Sequence, residues 1–411
     1  MVRKVVVTGL GVLSPIGIGR ANYWDALFQG RKGFRQVTLF DTAPFKVDIA
    51  GEITDFDPVP FLGKKGLRTL DRSTRLIGTA AKLAIDDARI QITEENTGSM
   101  GVSVGATFGS LHSVSQFDRE GLTEGPRYVN PSYFPNTVIN SPASQVSIRF
   151  GIKGFNTTIS TGFCASLDAI SYASDFIRLN RADIVLAGGV EELCEETFFG
   201  FHKLGYLSGA DGSGSICCPF DARRNGIVLS EGTAVLVLEE EDHALKRGAD
   251  ILAEICGYGN SFDPSADKNF GHEGKGLRRA ISLALKDASL TPEDIDYVSS
   301  CANSTRGLDR METKVIKDVF GEYAFRIPVS SIKSMIGESF SASGALSLAA
   351  GVGAINRSGI PPTVNYQEKD SDCDLDYVPN QSRQKQMNNV LVISADPYGQ
   401  NSAVLLGKYE R

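Results

Sequence analysis

The stretch TTISTGFCASLDAI (residues 157–170) sets a β-branched run directly before a run of small residues at helical spacing. A chain that leaves a strand, turns on a glycine and enters a helix displays the side chain at the turn, and a thiol placed there is activated by the helix N-terminus. Phe163 and Cys164 compete for that position. They lead to opposite chemistry: a thiolate can carry an acyl group, and a phenyl ring cannot. A one-residue step turns a side chain by roughly 100° in a helical turn and to the opposite face in a strand. The register therefore has to be settled from the flanks.

The chain has 411 residues, enough for two domains or one large duplicated fold. Its 42% apolar and 22% charged content predicts a packed globular core. A net charge of −7 without a dense Lys/Arg block argues against general nucleic-acid binding. No apolar run approaches the ~18 residues of a membrane helix, and MVRKVVVTGLGVLSPIG opens like a buried strand, not a signal peptide. Seven cysteines without an even framework of spacings predict reduced thiols and a cytoplasmic protein. Cys217 and Cys218 are adjacent, and His112, His202, His243 and His272 lie far apart, so no metal site is expected.

Strands and helices alternate along the chain, which predicts an α/β fold. KVVVTGLGVLS (4–14) reads as a buried strand followed by a glycine-rich turn, and residues 73–90 as a helix opening on a Ser cap. Strands are expected over 98–107 and 182–192. A strand and charged helix are expected over 232–248, helix, capped loop and strand over 271–304, and two strands around a tight turn over 388–410. The plan of strand, Gly/Ser-rich turn and small-residue helix at 157–178 returns at 327–356, and Tyr258-Gly259 echoes Leu10-Gly11. These echoes predict two related halves, 1–250 and 251–411, that share one core.

The sequence resembles the β-ketoacyl-acyl-carrier-protein synthases. The resemblance rests on VVVTGLGVLSPIG (5–17), FDARRNGIVLSEGTAVLVLEE (220–240), VSSIKSMIGESFSASG (329–344) and IPPTVNYQEKDSDCDLDYVP (360–379), in that order. It implies a thiolase-like fold, α/β, with two pseudo-repeated halves in a layered αβαβα arrangement. An active member of that family uses a thiolate to accept the acyl chain, and two His side chains to assist malonyl decarboxylation and stabilise the enolate. A Lys and a Glu support them.

Placed on the family pattern without gaps, both flanks put the nucleophile's position on Phe163 and leave Cys164 one residue late. The first His is replaced by Cys301 in SSCANSTRGLDRMET (299–313), and the second by Glu338 in KSMIGES, while Lys333 stays. Glu338 and Lys333 are positioned to form an ion pair. The family's GFGGTN loop is shortened to PYGQN (397–401). This pattern of loss resembles the chain-length factor branch, also called ketosynthase β, of type II polyketide synthases. That branch most often holds Gln at the nucleophile's position. Here the residue is Phe, which offers no amide to polarise a carbonyl.

The resemblance implies a catalytically silent subunit that pairs as a heterodimer with an active ketosynthase α and sets polyketide length on acyl carrier protein. It implies no cofactor, and no nucleic-acid or membrane partner. Leu111 and Val114, on a short helix over 109–122, and Tyr133 and Phe134, in the family's interface segment, are the expected tunnel and interface residues. The rival reading is a divergent β-ketoacyl-ACP synthase with Cys164 as nucleophile.

Overall fold

The computed structural model describes residues 3–54, 56–265, 267, 270 and 273–410; His272 lies outside them. Ten strands carry the architecture: β1 (Val5–Ser14), β2 (Met100–Gly105), β3 (Asn156–Ile159), β4 (Ile184–Glu191), β5 (Gly232–Glu240), β6 (Ala253–Phe262), β7 (Tyr297–Ser299), β8 (Val329–Ser330), β9 (Asn389–Ala395) and β10 (Gln400–Gly407). With the short strand Gly17–Ile18 folded back on β1, they form an 11-stranded sheet in the order β3-β2-β4-β5-β1-β6-β10-β9-β7-β8.

From its centre outward, the sheet repeats itself. From β1 the sequence is β1-β5-β4-β2-β3, and from β6 it is β6-β10-β9-β7-β8. The strand senses repeat as well. The outer pairs β2·β3, β2·β4, β7·β8 and β7·β9 are parallel. The inner pairs β4·β5, β5·β1, β9·β10 and β10·β6 are antiparallel. The central strands meet through an antiparallel contact of Val6 and Val7 with Glu254 and Ala253. We infer from this repetition that 1–250 and 251–411 are two copies of one unit.

Six helices complete the layers: α1 (Arg72–Asp87), α2 (Leu111–Thr123), α3 (Ala165–Arg178), α4 (Lys275–Ala288), α5 (Arg306–Phe320) and α6 (Ser343–Arg357). Strand alternation shows how they stack. Ala234, Leu236 and Leu238 of β5 face a central core with α3 and α6, whereas Val235 and Val237 face an outer core with α1 and the helix Ser141–Phe150. In the other half, Val390 and Val392 of β9 face the same central core, and Leu391 and Ile393 face α4 and α5. The result is helix, sheet, helix, sheet, helix, the αβαβα arrangement of a thiolase-like fold. Helices α3 and α6 run between the two half-sheets, so residues at their N-termini meet at the centre of the molecule.

Two local expectations are corrected. Leu10-Gly11 is not a turn; it lies inside β1, as Tyr258-Gly259 lies inside β6. A Cβ on Gly11 would stand 1.8 Å from the Ala80 carbonyl oxygen, and one on Gly259 would stand 2.2 Å from that of Ala280. The glycines let helices α1 and α4 press against their strands, and the echo between them is one helix–strand contact made twice. The cap of α1 is Asp71, which accepts the Thr74 N–H at 2.8 Å, and not Ser73, which falls inside the first turn. Among the described residues no helix is long and apolar enough to cross a membrane.

The close approach of α1 to β1 predicts a steep cost for any side chain at residue 11. Gly11→Ala is expected to destabilise the protein by about 3 kcal/mol through overpacking. Gly98→Ala, where a Cβ meets nothing within 4 Å, should change stability by less than about 0.5 kcal/mol. Urea unfolding midpoints of the two variants check this.

Candidate functional site

The elbow between β3 and α3 is a single 3-10 turn, Gly162–Cys164, that runs directly into the helix. Gly162 takes φ +60°, and the space a Cβ would fill is occupied by the Asp396 carboxylate, 2.0 Å away. Only glycine fits there. Because a 3-10 turn has three residues per revolution, Phe163 and Cys164 face different surroundings.

Phe163 is 4% exposed and packs in an aromatic cluster. Its ring lies 5.1 Å from that of Phe340, which stacks on Phe201 at 4.7 Å and meets Phe108 edge-on at 5.3 Å. The Phe163 backbone is pinned at both ends: its N–H donates to Asp396 Oδ2 at 3.1 Å and its carbonyl accepts from Ser394 Oγ at 2.8 Å. This N–H, on the turn that leads into the helix, is thus already engaged by a carboxylate.

Cys164 is fully buried and faces Asp168, Asp396, Ser394 and Ser402. Burial, reinforced by the two carboxylates, pushes its thiol well above the ordinary cysteine range. Asp168 is held by the hydroxyls of Thr161 and Ser402 and the amide of Asn260, so the carboxylate beside the thiol is occupied. Nothing in this environment generates a thiolate.

Cys301 and Glu338 stand on loops that meet below the elbow. The Cys301 N–H donates to Glu312 Oε1 at 3.2 Å, and its thiol lies 3.5 Å from Glu312 Oε2. Burial raises this thiol strongly as well, with Glu312 adding to the shift. Glu338 is buried and accepts four donors. Lys333 Nζ at 2.7 Å and Asn303 Nδ2 at 3.0 Å reach Oε2, and Ser343 Oγ at 2.6 Å and the Phe340 N–H at 3.1 Å reach Oε1. The Lys333–Glu338 ion pair is therefore formed. Burial, which lowers Lys333, is outweighed by Glu338, and the ammonium is held above its usual range. The four positions singled out in the sequence thus converge: Asn303 ties the Cys301 loop to Glu338, and Phe340 ties Glu338 to Phe163.

The remaining candidates lie elsewhere. Leu111 and Val114 sit half-buried on α2, a helix with no fully buried residue. Tyr133 and Phe134, expected in an interface segment, lie on a 3-10 turn, Pro131–Thr137, and are 41% and 58% exposed. The prolines at 131 and 135 lack the N–H that a ladder needs. Tyr133 lines a cavity of about 340 Å³ with His112, Gln116 and Phe117. Sequence reasoning missed Asp396, Phe340, Phe201 and Phe108. Their one local signal was the shortened PYGQN loop directly after Asp396.

Residues 2–244 match the family described as beta-ketoacyl synthase, N-terminal domain, and residues 252–367 match its C-terminal domain. The chain belongs to the beta-ketoacyl synthase family. It is 36% identical over 99% of both chains to a 3-oxoacyl-[acyl-carrier-protein] synthase 2 of Coxiella burnetii. It is 39% identical to a putative polyketide beta-ketoacyl synthase 1 of Streptomyces halstedii, over 100% of this chain and 99% of the relative. Its structure resembles that of the ishigamide ketosynthase/chain length factor with a TM-score of 0.92, at 34% identity and full coverage of both chains.

The buried acids set a pH dependence. Burial raises Glu191 to about 7, Glu192 to about 8, Glu312 to about 7 and Asp309 to about 6. Each folded value lies above its unfolded one, so the folded state holds these protons to higher pH. Their contribution is fully present below the ordinary carboxylate range and is lost as pH rises through 6 to 8. The urea midpoint of the isolated chain is expected to fall steadily between pH 5 and 9. A midpoint that rises over that interval contradicts the assignment.

Proposed function

We propose that this chain is the catalytically silent, length-setting subunit of a heterodimeric ketosynthase, a chain-length factor that acts on polyketide intermediates carried by acyl carrier protein. The reading rests on Phe163: at the position where the sequence resemblance expects an acyl-accepting thiol, the chain carries a buried phenyl ring packed on Phe340 in an aromatic cluster. Two further features support it. Cys301 and Glu338 hold the positions expected for the two histidines, and neither can donate a proton to an enolate oxygen in its present setting. The thiol is directed at Glu312 Oε2, 3.5 Å away, and the carboxylate is occupied by Lys333 and three other donors. Cys164 does not substitute for the missing nucleophile, because it is fully buried beside two carboxylates.

The partner is an active ketosynthase that supplies the thiol and both histidines. Support comes from the surface that carries α2 and the following turn. Leu122, Tyr128, Phe134 and Ile148 expose large apolar side chains within one segment, with Leu122 87% exposed. Strand β3 adjoins that segment in sequence and is an edge of the sheet, paired among the described residues only with β2. An open edge beside an apolar face is what a subunit contact covers. The 34% identical neighbour, whose name joins a ketosynthase with a chain length factor, fits the same reading.

Co-expression with a ketosynthase that carries Cys and two His, followed by gel filtration, tests the proposal. The expected result is a one-to-one complex that extends malonyl units on carrier protein, while this chain purified alone gives no condensation. Turnover by the isolated chain, or a homodimer indifferent to the partner, overturns it. Phe134→Lys is expected to weaken the complex by about 2 kcal/mol, as an interface aromatic does on truncation, read as a roughly thirtyfold rise in Kd.

A further inference from the structure

Phe340 takes φ +46°, a left-handed conformation that a bulky residue adopts at a cost and only when its surroundings hold it there. Its ring is the hub of the cluster over Phe163, in contact with Phe163, Phe201 and Phe108. Its N–H is one of the four donors gathered by Glu338. The carboxylate has acceptors enough for all four, because each oxygen takes two hydrogen bonds. An imidazole, the side chain the family resemblance places at residue 338, offers at most one acceptor. It could not hold Lys333, Asn303, Ser343 and the Phe340 N–H together.

We propose that Glu338 is a positioning residue for an aromatic plug: paired with Lys333, it holds the 338–343 turn so that the Phe340 ring closes over Phe163 and seals the pocket at the elbow. The plug is thus tied to a polar substitution, with packing as its second support. Ser343 on the first turn of α6 completes the clamp through Oγ, and Ser339 is held to Ser343 by its N–H at 3.1 Å. This inference concerns only whether the pocket is shut. It stands or falls apart from the identity of the partner subunit.

The test places a reporter thiol inside the pocket. Phe163→Cys is alkylated with iodoacetamide under native conditions, and residue 163 is followed by peptide mass spectrometry so that the native cysteines do not contribute. The thiol is expected to react at least about a hundredfold more slowly than in the urea-unfolded chain, because it must wait for local opening. Adding Glu338→Gln is expected to speed the reaction by about tenfold, since Gln cannot accept from Lys333, Asn303, Ser343 and residue 340 at once. Adding Phe340→Ala to Phe163→Cys marks the fully opened pocket. Glu338→His serves in place of Glu338→Gln if the latter does not fold.

Three results overturn the proposal. The first is alkylation of Phe163→Cys at the unfolded rate, which means no plug. The second is a rate unmoved by either change at 338 while Phe340→Ala accelerates it, which means a plug held by packing alone. The third is loss of folding in both 338 variants by circular dichroism, which makes Glu338 a determinant of the fold and not of the plug. A tenfold rise with unchanged circular dichroism supports it.

Discussion

The N–H of Phe163 is the group on which the centre of this molecule turns. It belongs to the 3-10 turn that leads into α3, the helix that runs between the two half-sheets, and Asp396 Oδ2 accepts it at 3.1 Å. A helix start normally leaves its first N–H groups free, and a free one attracts an anion or a developing oxyanion. Here a carboxylate fills that role from within the chain. The same carboxylate occupies the space beside Gly162 that a Cβ would need, and it accepts the Tyr398 N–H through its second oxygen at 2.7 Å. One side chain thereby fixes the elbow and excludes any larger residue at 162. Burial raises Asp396 above the ordinary carboxylate range, a shift opposed by the two backbone donors. The Phe163 N–H and the space beside Gly162 are thus both taken by this one carboxylate.

The polar groups around it are saturated in the same way. Glu338 and Lys333 form a buried ion pair whose desolvation cost is high, and such a pair is tolerable only when its remaining hydrogen-bonding capacity is met. Asn303, Ser343 and the Phe340 N–H meet it. Cys301 is coupled to Glu312, whose carboxyl is itself raised by burial to about 7. A catalytic site keeps donors and acceptors poised for a substrate; these are paired with one another. Such saturation is costly to break, because removing Lys333 or Glu338 leaves the other as an unpaired buried charge.

What the sequence revealed follows from the range over which its signals act. The strands β1, β2, β4, β5, β9 and β10 and the helices α1, α3 and α6 were legible because buried runs and helical spacing are local. The repeated plan was legible because both halves use small residues at the same points. The meaning of Gly11 and Gly259 was not: a glycine in a strand and a glycine in a turn look alike until the helix that presses on it is known. Phe163, Cys301, Glu338 and Lys333 could be found by register against a family pattern. Asp396, Phe340, Phe201 and Phe108 could not, because their roles arise from contacts between segments far apart in the chain. The cap of α1 fell to Asp71 over Ser73, a choice that spacing alone does not settle.

The contrast between interior and surface completes the physical picture. Inside, aromatic packing and paired charges leave the elbow closed. Outside, α2 contributes no buried residue, the following turn exposes Tyr133 and Phe134, and β3 ends the sheet, with β2 its one partner strand among the described residues. Leu122, Tyr128, Phe134 and Ile148 in this part of the chain leave large apolar side chains exposed. Under the proposed function, burial of the exposed apolar groups beside β3 would lower the free energy of the assembled pair. Helix α3, whose N-terminus carries the sealed elbow, packs through its length against β2 and β4, the neighbours of the open edge. The helix that carries the closed elbow is therefore braced by the two strands that lead to the sheet's edge.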